Sequence, residues 1–276
     1  MKRVSKTPRP GRQSRQDKKP VNGQKPTSPT TETPASQKNE VRLNKYMANS
    51  GLCSRREADK LILTGSVTVN GRKVTELGTK ITPGDEVKFK GRKLIPEKNV
   101  YILMNKPKDV ITSTEDPQGR KTIFSIIRSK PDERIYPVGR LDRMTTGVLL
   151  LTNDGDLTKK LTHPKYQKKK IYQVSLNKNL NRKDMEKIAE GITLDDGLIQ
   201  SDSISYVDPD DKREIGIEIH SGRNRIIRRI FESLDYRVEK LDRVYFAGLT
   251  KKGLTRGKWR YLSDKEISVL KRGSYK

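Results

Sequence analysis

Residues 139–157 read GRLDRMTTGVLLLTNDGDL, and the order of their chemistry sets the architecture around them. Val148 to Leu151 form an unbroken apolar run, the pattern of a buried strand rather than of a half-exposed one. Asp154 and Asp156 follow at once, and acidic residues suit the positive end of a helix dipole, so DGDLTKKLTHP is predicted as a helix. On the other side of the strand lies Asp142, between Arg140 and Arg143 and just before a Thr-Thr-Gly turn. A neighbouring arginine favours the charged form of a carboxylate. That suits a nucleophile or an ion-pair partner better than a general acid. A loop salt bridge would use the same residues, and local chemistry does not separate the two.

Outward from this segment, strands and helices interleave without strict alternation. VYILMNKP (100–107) reads as a strand and a turn, while TIFSII (122–127) fits either a short helix or an apolar strand. KKKIYQVSL (168–176) is a strand with Lys170, Tyr172 and Val174 on one face. RKDMEKIAEG (182–191) is a helix stopped by Gly191. REIGIEIH (213–220) is a strand, GRNRIIRRIFESLDY (222–236) a helix with Ile226, Ile227, Ile230, Phe231 and Leu234 inward, and VEKLDRVYFAGL (238–249) a further strand. The irregular order predicts an α+β domain over residues 99–276 with a mixed or antiparallel sheet.

Residues 41–98 read as a separate small module. Leu43, Tyr46 and Met47 recur at helical spacing before Gly51. Ser54 and Glu57 form a capping-box pattern ahead of Ala58, Leu61 and Ile62. VTVNGRKV predicts a hairpin turning at Asn70-Gly71, and ITPGDEVKF supplies another strand. Arg55 and Arg56 occupy the first helical turn, where the dipole disfavours cations. A phosphate would offset that cost; two solvated arginines are the plainer reading.

Residues 1–40 hold six prolines, ten Lys/Arg and no aromatic residue. Such a composition predicts a disordered basic arm, acting either as a salt-sensitive RNA contact or as an inert tail. Across the chain, 60 Lys/Arg stand against 34 Asp/Glu, a net charge of +26. A polyanion such as nucleic acid offsets that self-repulsion, although a ribosome-like basic surface without chemistry would carry the same charge. No apolar run reaches the ~20 residues of a membrane span, and the N-terminus lacks a secretory apolar stretch; a cytoplasmic protein is expected. The single Cys53 permits no intrachain disulfide and reads as a small buried residue. Two histidines, no Cys pair and no glycine-rich nucleotide loop predict neither a metal nor a cofactor.

The runs R-L-N-K-Y-M, G-L-C-S-R-R-E-A and V-T-V-N-G-R-K-V resemble the small alpha-L RNA-binding module of ribosomal protein S-four. G-R-L-D followed by T-T-G-V-L-L-L-T-N-D-G is similar to the signature of the bacterial rRNA pseudouridine synthases of the RsuA/RluB type. Y-I-L-M-N-K-P-K, K-I-Y-Q-V, G-R-N-R-I-I-R-R-I-F, R-V-Y-F-A-G-L and G-K-W-R-Y-L resemble further motifs of that family in the same order, so the likeness spans about residues 41–270. It implies isomerisation of uridine to pseudouridine in rRNA without cofactor or metal; no sequence feature demands an oligomer, so a monomer is expected. The ending R-V-Y-F-A-G-L favours the large-subunit (23S) branch.

The resemblance also implies site roles. Asp142 would be the nucleophile, Tyr172 would stack on the target base, and Arg223 would pair with Asp142. Ile227 would pack on the Tyr172 ring, with Arg140 in support. Lys106 and Pro107 would shape the cleft edge. Arg42, Lys45, Arg55, Arg56, Lys106, Arg225, Arg228 and Arg229 would contact RNA. The family pattern is broken at Asp109 (usually Gly), Ser221 (usually Glu) and Ile226 (usually Gln). Three other classes compete: a small-subunit (16S) synthase, a non-catalytic RNA-binding assembly factor, and a methyltransferase, which would want a glycine-rich cofactor loop.

Overall fold

The computed structural model describes residues 40–114, 116–127, 131–273 and 275; the basic arm expected over 1–40 lies outside them save for Glu40. The front segment forms helices α1 (Leu43–Asn49) and α2 (Arg55–Leu63), then strands β1 (Val67–Val69), β2 (Arg72–Val74) and β3 (Val87–Phe89). Ser54 caps α2 with the reciprocal Glu57 bond expected from the sequence. Asn70 and Gly71 both take positive φ, 51° and 80°, as a tight hairpin turn between β1 and β2 requires. The run ITPGDEVKF contains two strands, not one: Lys80–Ile81 pairs with Val41–Arg42, and β3 pairs with β1. Leu43, Met47, Ala58, Ile62, Val67, Ile81 and Val87 are buried together, with Cys53 among them.

The larger part is built on β4 (Tyr101–Lys106), β5 (Thr146–Thr152), α3 (Gly155–Thr162), β6 (Lys170–Leu176), α4 (Arg182–Glu190), the hairpin β7 (Ile192–Leu194) and β8 (Gly197–Ile199), β9 (Ser203–Tyr206), β10 (Glu214–Ile219), α5 (Ile226–Glu232), β11 (Val238–Phe246), β12 (Trp259–Tyr261) and α6 (Asp264–Arg272). Among the described residues the main sheet runs β9-β10-β6-β11-β5-β4-β12, with short strands at Leu249–Thr250 and Tyr136–Pro137 added beside β11 and β5. All pairings are antiparallel except β11 with β5, so the sheet is mixed, as the irregular element order predicts. The undecided TIFSII segment contains a short 3₁₀ turn, Ile123–Ser125.

Alternation along the strands feeds two faces. Ile102, Met104, Leu149, Leu151, Tyr172 and Val174 join α4 and α5 on one side. Leu103, Val148, Leu150 and Phe246 join Leu157 and Leu161 of α3 and Leu270 of α6 on the other. The β5 residues are therefore buried on both faces, which explains the unbroken apolar run. Gly147 marks where the parallel pair closes. A Cβ there would lie 2.2 Å from the Arg243 carbonyl oxygen and 2.4 Å from Asp242 Oδ1, at φ +107°. Only glycine admits such an approach. Among the described residues no helix is long and apolar enough to cross a membrane.

Candidate active site

The loop before β5 carries Asp142. Its shape is set from below by Lys106, the last residue of β4, whose side chain is 0 % exposed. The Lys106 ammonium donates to the carbonyl oxygens of Pro107 (3.0 Å), Asp142 (3.1 Å), Arg143 (3.2 Å) and Thr145 (2.8 Å). The Thr145 amide also donates to the Asp142 carbonyl at 3.0 Å, closing a turn. Thr112 Oγ1 donates to the Leu141 carbonyl at 3.1 Å. A buried cation thus gathers four carbonyls, and Asp142 itself is left half-buried. Lys106 was expected at the cleft edge and as an RNA contact. Its complete burial rules out the RNA contact, because a phosphate cannot reach it, while its four bonds give it the loop-shaping part from beneath. Burial also pushes its ammonium down to about 8, an effect that the negative charges of Asp142 and Asp109 oppose.

A cleft of about 280 Å³ opens beside this loop. Asp142, Arg140, Tyr172, Ile227, Arg223 and Arg225 all line it, bringing together residues from three separated segments. Tyr172 on β6 is 9 % exposed, and it shares an apolar cluster with Ile227 of α5. The alternation read from the sequence holds: Lys170, two residues before Tyr172, lies at the same cleft. Its ammonium donates to the carbonyls of Lys168, His220 and Ser221 at 3.1, 2.9 and 3.2 Å. Burial and the nearby Arg243 cation push Lys170 down to about 8.

The third wall departs from expectation. Arg225 sits in the left-handed region at φ 47°, and a right-handed helix cannot pass through it, so α5 starts at Ile226 and not at Gly222. Residues 222–225 form a loop instead. Within it the Arg223 guanidinium donates to the Gly197 carbonyl at 2.9 Å and to Asp196 at 3.4 Å. The expected ion pair of Arg223 with Asp142 is absent among the described residues, because the β7–β8 hairpin holds that guanidinium. The buried Arg228 instead feels the Asp142 charge. It was expected as a surface RNA contact, yet it is 9 % exposed and donates to the Val238 carbonyl at 2.7 Å. Burial and Arg225 push Arg228 down, and the negative charge of Asp142 works against both. Arg229 is engaged by Asp195 and by Asp196, the latter at 2.7 Å, and Arg225 by Glu232 at 3.2 Å.

Of the remaining candidates, Arg42, Arg55 and Arg56 are exposed on the front segment and do not line the cleft. Lys45 pairs with Asp156 of α3 at 2.7 Å, so its ammonium is already taken. Asp109, where the resembled pattern has glycine, takes φ 66°, a conformation that glycine adopts at no cost. Its amide donates to the Arg143 carbonyl at 3.0 Å, and its carboxylate pairs with Arg143 at 2.8 Å. Ser221 contributes its carbonyl to Lys170 and its hydroxyl to the Arg223 amide at 3.3 Å. Ile226 is buried at the cleft. Sequence reading left two charged cleft residues without a role: Lys170, which alternation already put on the Tyr172 face, and Arg243, which opens the R-V-Y-F-A-G-L run in the middle of a strand. Among the described residues no group of three or more His, Cys, Asp or Glu could hold a metal ion.

Residues 100–233 match the RNA pseudouridylate synthase family and residues 41–87 the S4 domain family. Over 233 residues the chain is 41 % identical to the ribosomal large subunit pseudouridine synthase B of Bacillus subtilis, covering 83 % of this chain and 95 % of that one. It is 35 % identical to the dual-specificity RNA pseudouridine synthase RluF of Escherichia coli K12, covering 83 % and 78 %. A solved pseudouridylate synthase structure is 28 % identical and superposes with a TM-score of 0.61, covering 83 % of this chain and 99 % of that one.

Proposed function

The chain belongs to the RNA pseudouridine synthase family, and from that premise we propose that it isomerises a specific uridine of large-subunit ribosomal RNA, with Asp142 as the reacting carboxylate. The observation that carries the reading is the placement of Asp142. It is half-buried at a cleft that also holds Tyr172, on a loop fixed through its carbonyls by Lys106. The cleft volume of about 280 Å³ suits a single flipped base rather than a duplex. A base reaches it only by leaving its stack, at a cost of a few kcal/mol. Phosphate contacts by the front module, residues 41–98, would supply that energy. Arg55 and Arg56, exposed at the start of α2, are the residues for this role.

The catalytic domain, residues 99–276, would then act at the sugar. The Asp142 carboxylate attacks the anomeric carbon or removes a sugar proton. The bond from uracil N1 to the anomeric carbon breaks, the ring turns over, and carbon five takes the place of N1. One proton leaves carbon five and one arrives at N1, so the product is an isomer. Arg228 and Lys106 oppose the Asp142 charge, and Tyr172 forms the wall on which the base lies. We place the protein in the cytoplasm, as a monomer acting on 23S rRNA. The first named relative acts, by its name, on the large subunit.

Asp142→Asn tests the chemistry. The variant is expected to bind target RNA with near-normal affinity and to make no pseudouridine; turnover by Asp142→Asn would remove the assignment. Mapping pseudouridines in the rRNA of cells lacking the protein tests the target. A missing modification in 16S rather than 23S rRNA would overturn the large-subunit reading.

A further inference from the structure

Under the cleft lies a cation that the steps above do not use. Arg243 occupies the middle of β11 between two strands of the site, paired with Tyr172 of β6 on one side and Gly147 of β5 on the other. It is 3 % exposed yet lines the cleft. Its Nε donates to the Val148 carbonyl at 2.8 Å, and the guanidinium lies 4.6 Å from the Phe246 ring centroid. Among the described residues Nη2 meets no acceptor, and no carboxylate pairs with the side chain. The adjacent Asp242 is committed to Lys251 and Arg256 instead. The Tyr172 hydroxyl is a further polar neighbour of the guanidinium, and Tyr172 is the partner of Arg243 across the sheet.

A buried arginine without a carboxylate partner is costly, and a neutral side chain of similar size often makes such a site more stable. Its presence here calls for an anion that arrives only during turnover. The proposed reaction makes one. When the bond from N1 to the anomeric carbon breaks, the electron pair stays with the uracil, which carries one negative charge until carbon five bonds to the sugar. The Tyr172 ring, the wall for that base, stands next to Arg243. A fixed cation in a water-poor pocket stabilises charge that develops in the transition state without reorganising. We propose that Arg243 stabilises the departing uracil anion, an inference that rests on the pseudouridine reading of the Asp142 cleft.

The test compares Arg243→Met, Arg243→Lys and Arg243→Ala with the wild type. The readouts are single-turnover pseudouridine formation, RNA affinity and melting temperature. A wild type that makes no pseudouridine in any rRNA would sink the functional reading itself, separately from this proposal. With an active wild type, Arg243→Met is expected to fold with an unlowered melting temperature. Its turnover should fall by about 100-fold or more, the usual loss of one oxyanion donor. RNA affinity should stay within about threefold, because a group that acts only in the transition state leaves ground-state binding unchanged. Arg243→Lys, which keeps the charge, should fall between Met and wild type. Millimolar guanidinium should restore part of the Arg243→Ala turnover without shifting its melting temperature. Arg243→Met turning over within threefold of wild type overturns the proposal, as does a loss confined to RNA affinity or an Arg243→Ala variant that guanidinium does not rescue. If neither the Met nor the Ala variant folds, the arginine is structural and the proposal also fails.

Discussion

Replacing Lys106 by methionine removes an ammonium from the centre of the Asp142 loop while nearly preserving its volume. Four carbonyls lose a donor, but not equally. Asp142 O keeps the Thr145 amide and Arg143 O keeps the Asp109 amide, both at 3.0 Å. Pro107 O and Thr145 O have only the lysine among the described residues. Two orphaned carbonyls cost roughly 1–3 kcal/mol each, so about 2–6 kcal/mol together. Against this stands the relief of a buried charge. The ammonium is pushed down from 10.5 to about 8, a gap worth roughly 3 kcal/mol.

The net change at neutral pH is therefore small, between about −1 and +3 kcal/mol. The loss of function is not small, because a shift of about 1 Å in a reacting group can cost ~100-fold in rate. The pH dependence carries a separate signature. The folded-state value lies below the unfolded one, so between pH 8 and 10.5 the unfolded chain binds more protons at this residue. Wild-type stability accordingly gains about 3 kcal/mol relative to Lys106→Met across that window, and the difference is constant below it. Urea unfolding of both proteins from pH 7 to 10.5, beside single-turnover assays at pH 7, measures both effects. Unchanged turnover in a folded Lys106→Met, or a stability difference that ignores pH, would refute the reasoning.

Two further substitutions probe the same loop from its ends. Gly147→Ala puts a methyl group against the Arg243 backbone and the Asp242 carboxylate at positive φ; it should destabilise the fold by at least ~3 kcal/mol in urea and abolish turnover. Asp109→Gly relieves a left-handed non-glycine residue at the expense of an ion pair whose two side chains are each 58 % exposed. Such a pair contributes at most about 1 kcal/mol and the strain costs about 1–2, so the melting temperature should stay level or rise slightly.

Elements governed by local chemistry were legible before any coordinates. The Ser54 capping box, the Asn70-Gly71 turn and the buried β5 run each depend on residues a few positions apart. Asp142, Tyr172 and Ile227 do converge on one cleft, as the motif order implied. What failed depended on tertiary partners. Arginines at 223, 228 and 229 look alike in sequence. The β7–β8 hairpin captures the first and third, while the sheet buries the second. Lys106 reads as a surface lysine beside a proline; only the fold brings four carbonyls around it. Arg243 opens the R-V-Y-F-A-G-L run, but its setting comes from two strands that no local pattern pairs with it.

The parallel closure of β11 on β5 also has a consequence in time. Arg243 and Val148, joined by a hydrogen bond, are 95 residues apart in sequence. The cleft needs both, so it cannot exist on a growing chain until β11 has left the ribosome. The front segment closes its own apolar cluster from residues 43–94, and such local contacts form early. During synthesis the residues of the front segment's apolar cluster thus emerge well before the strand that completes the cleft.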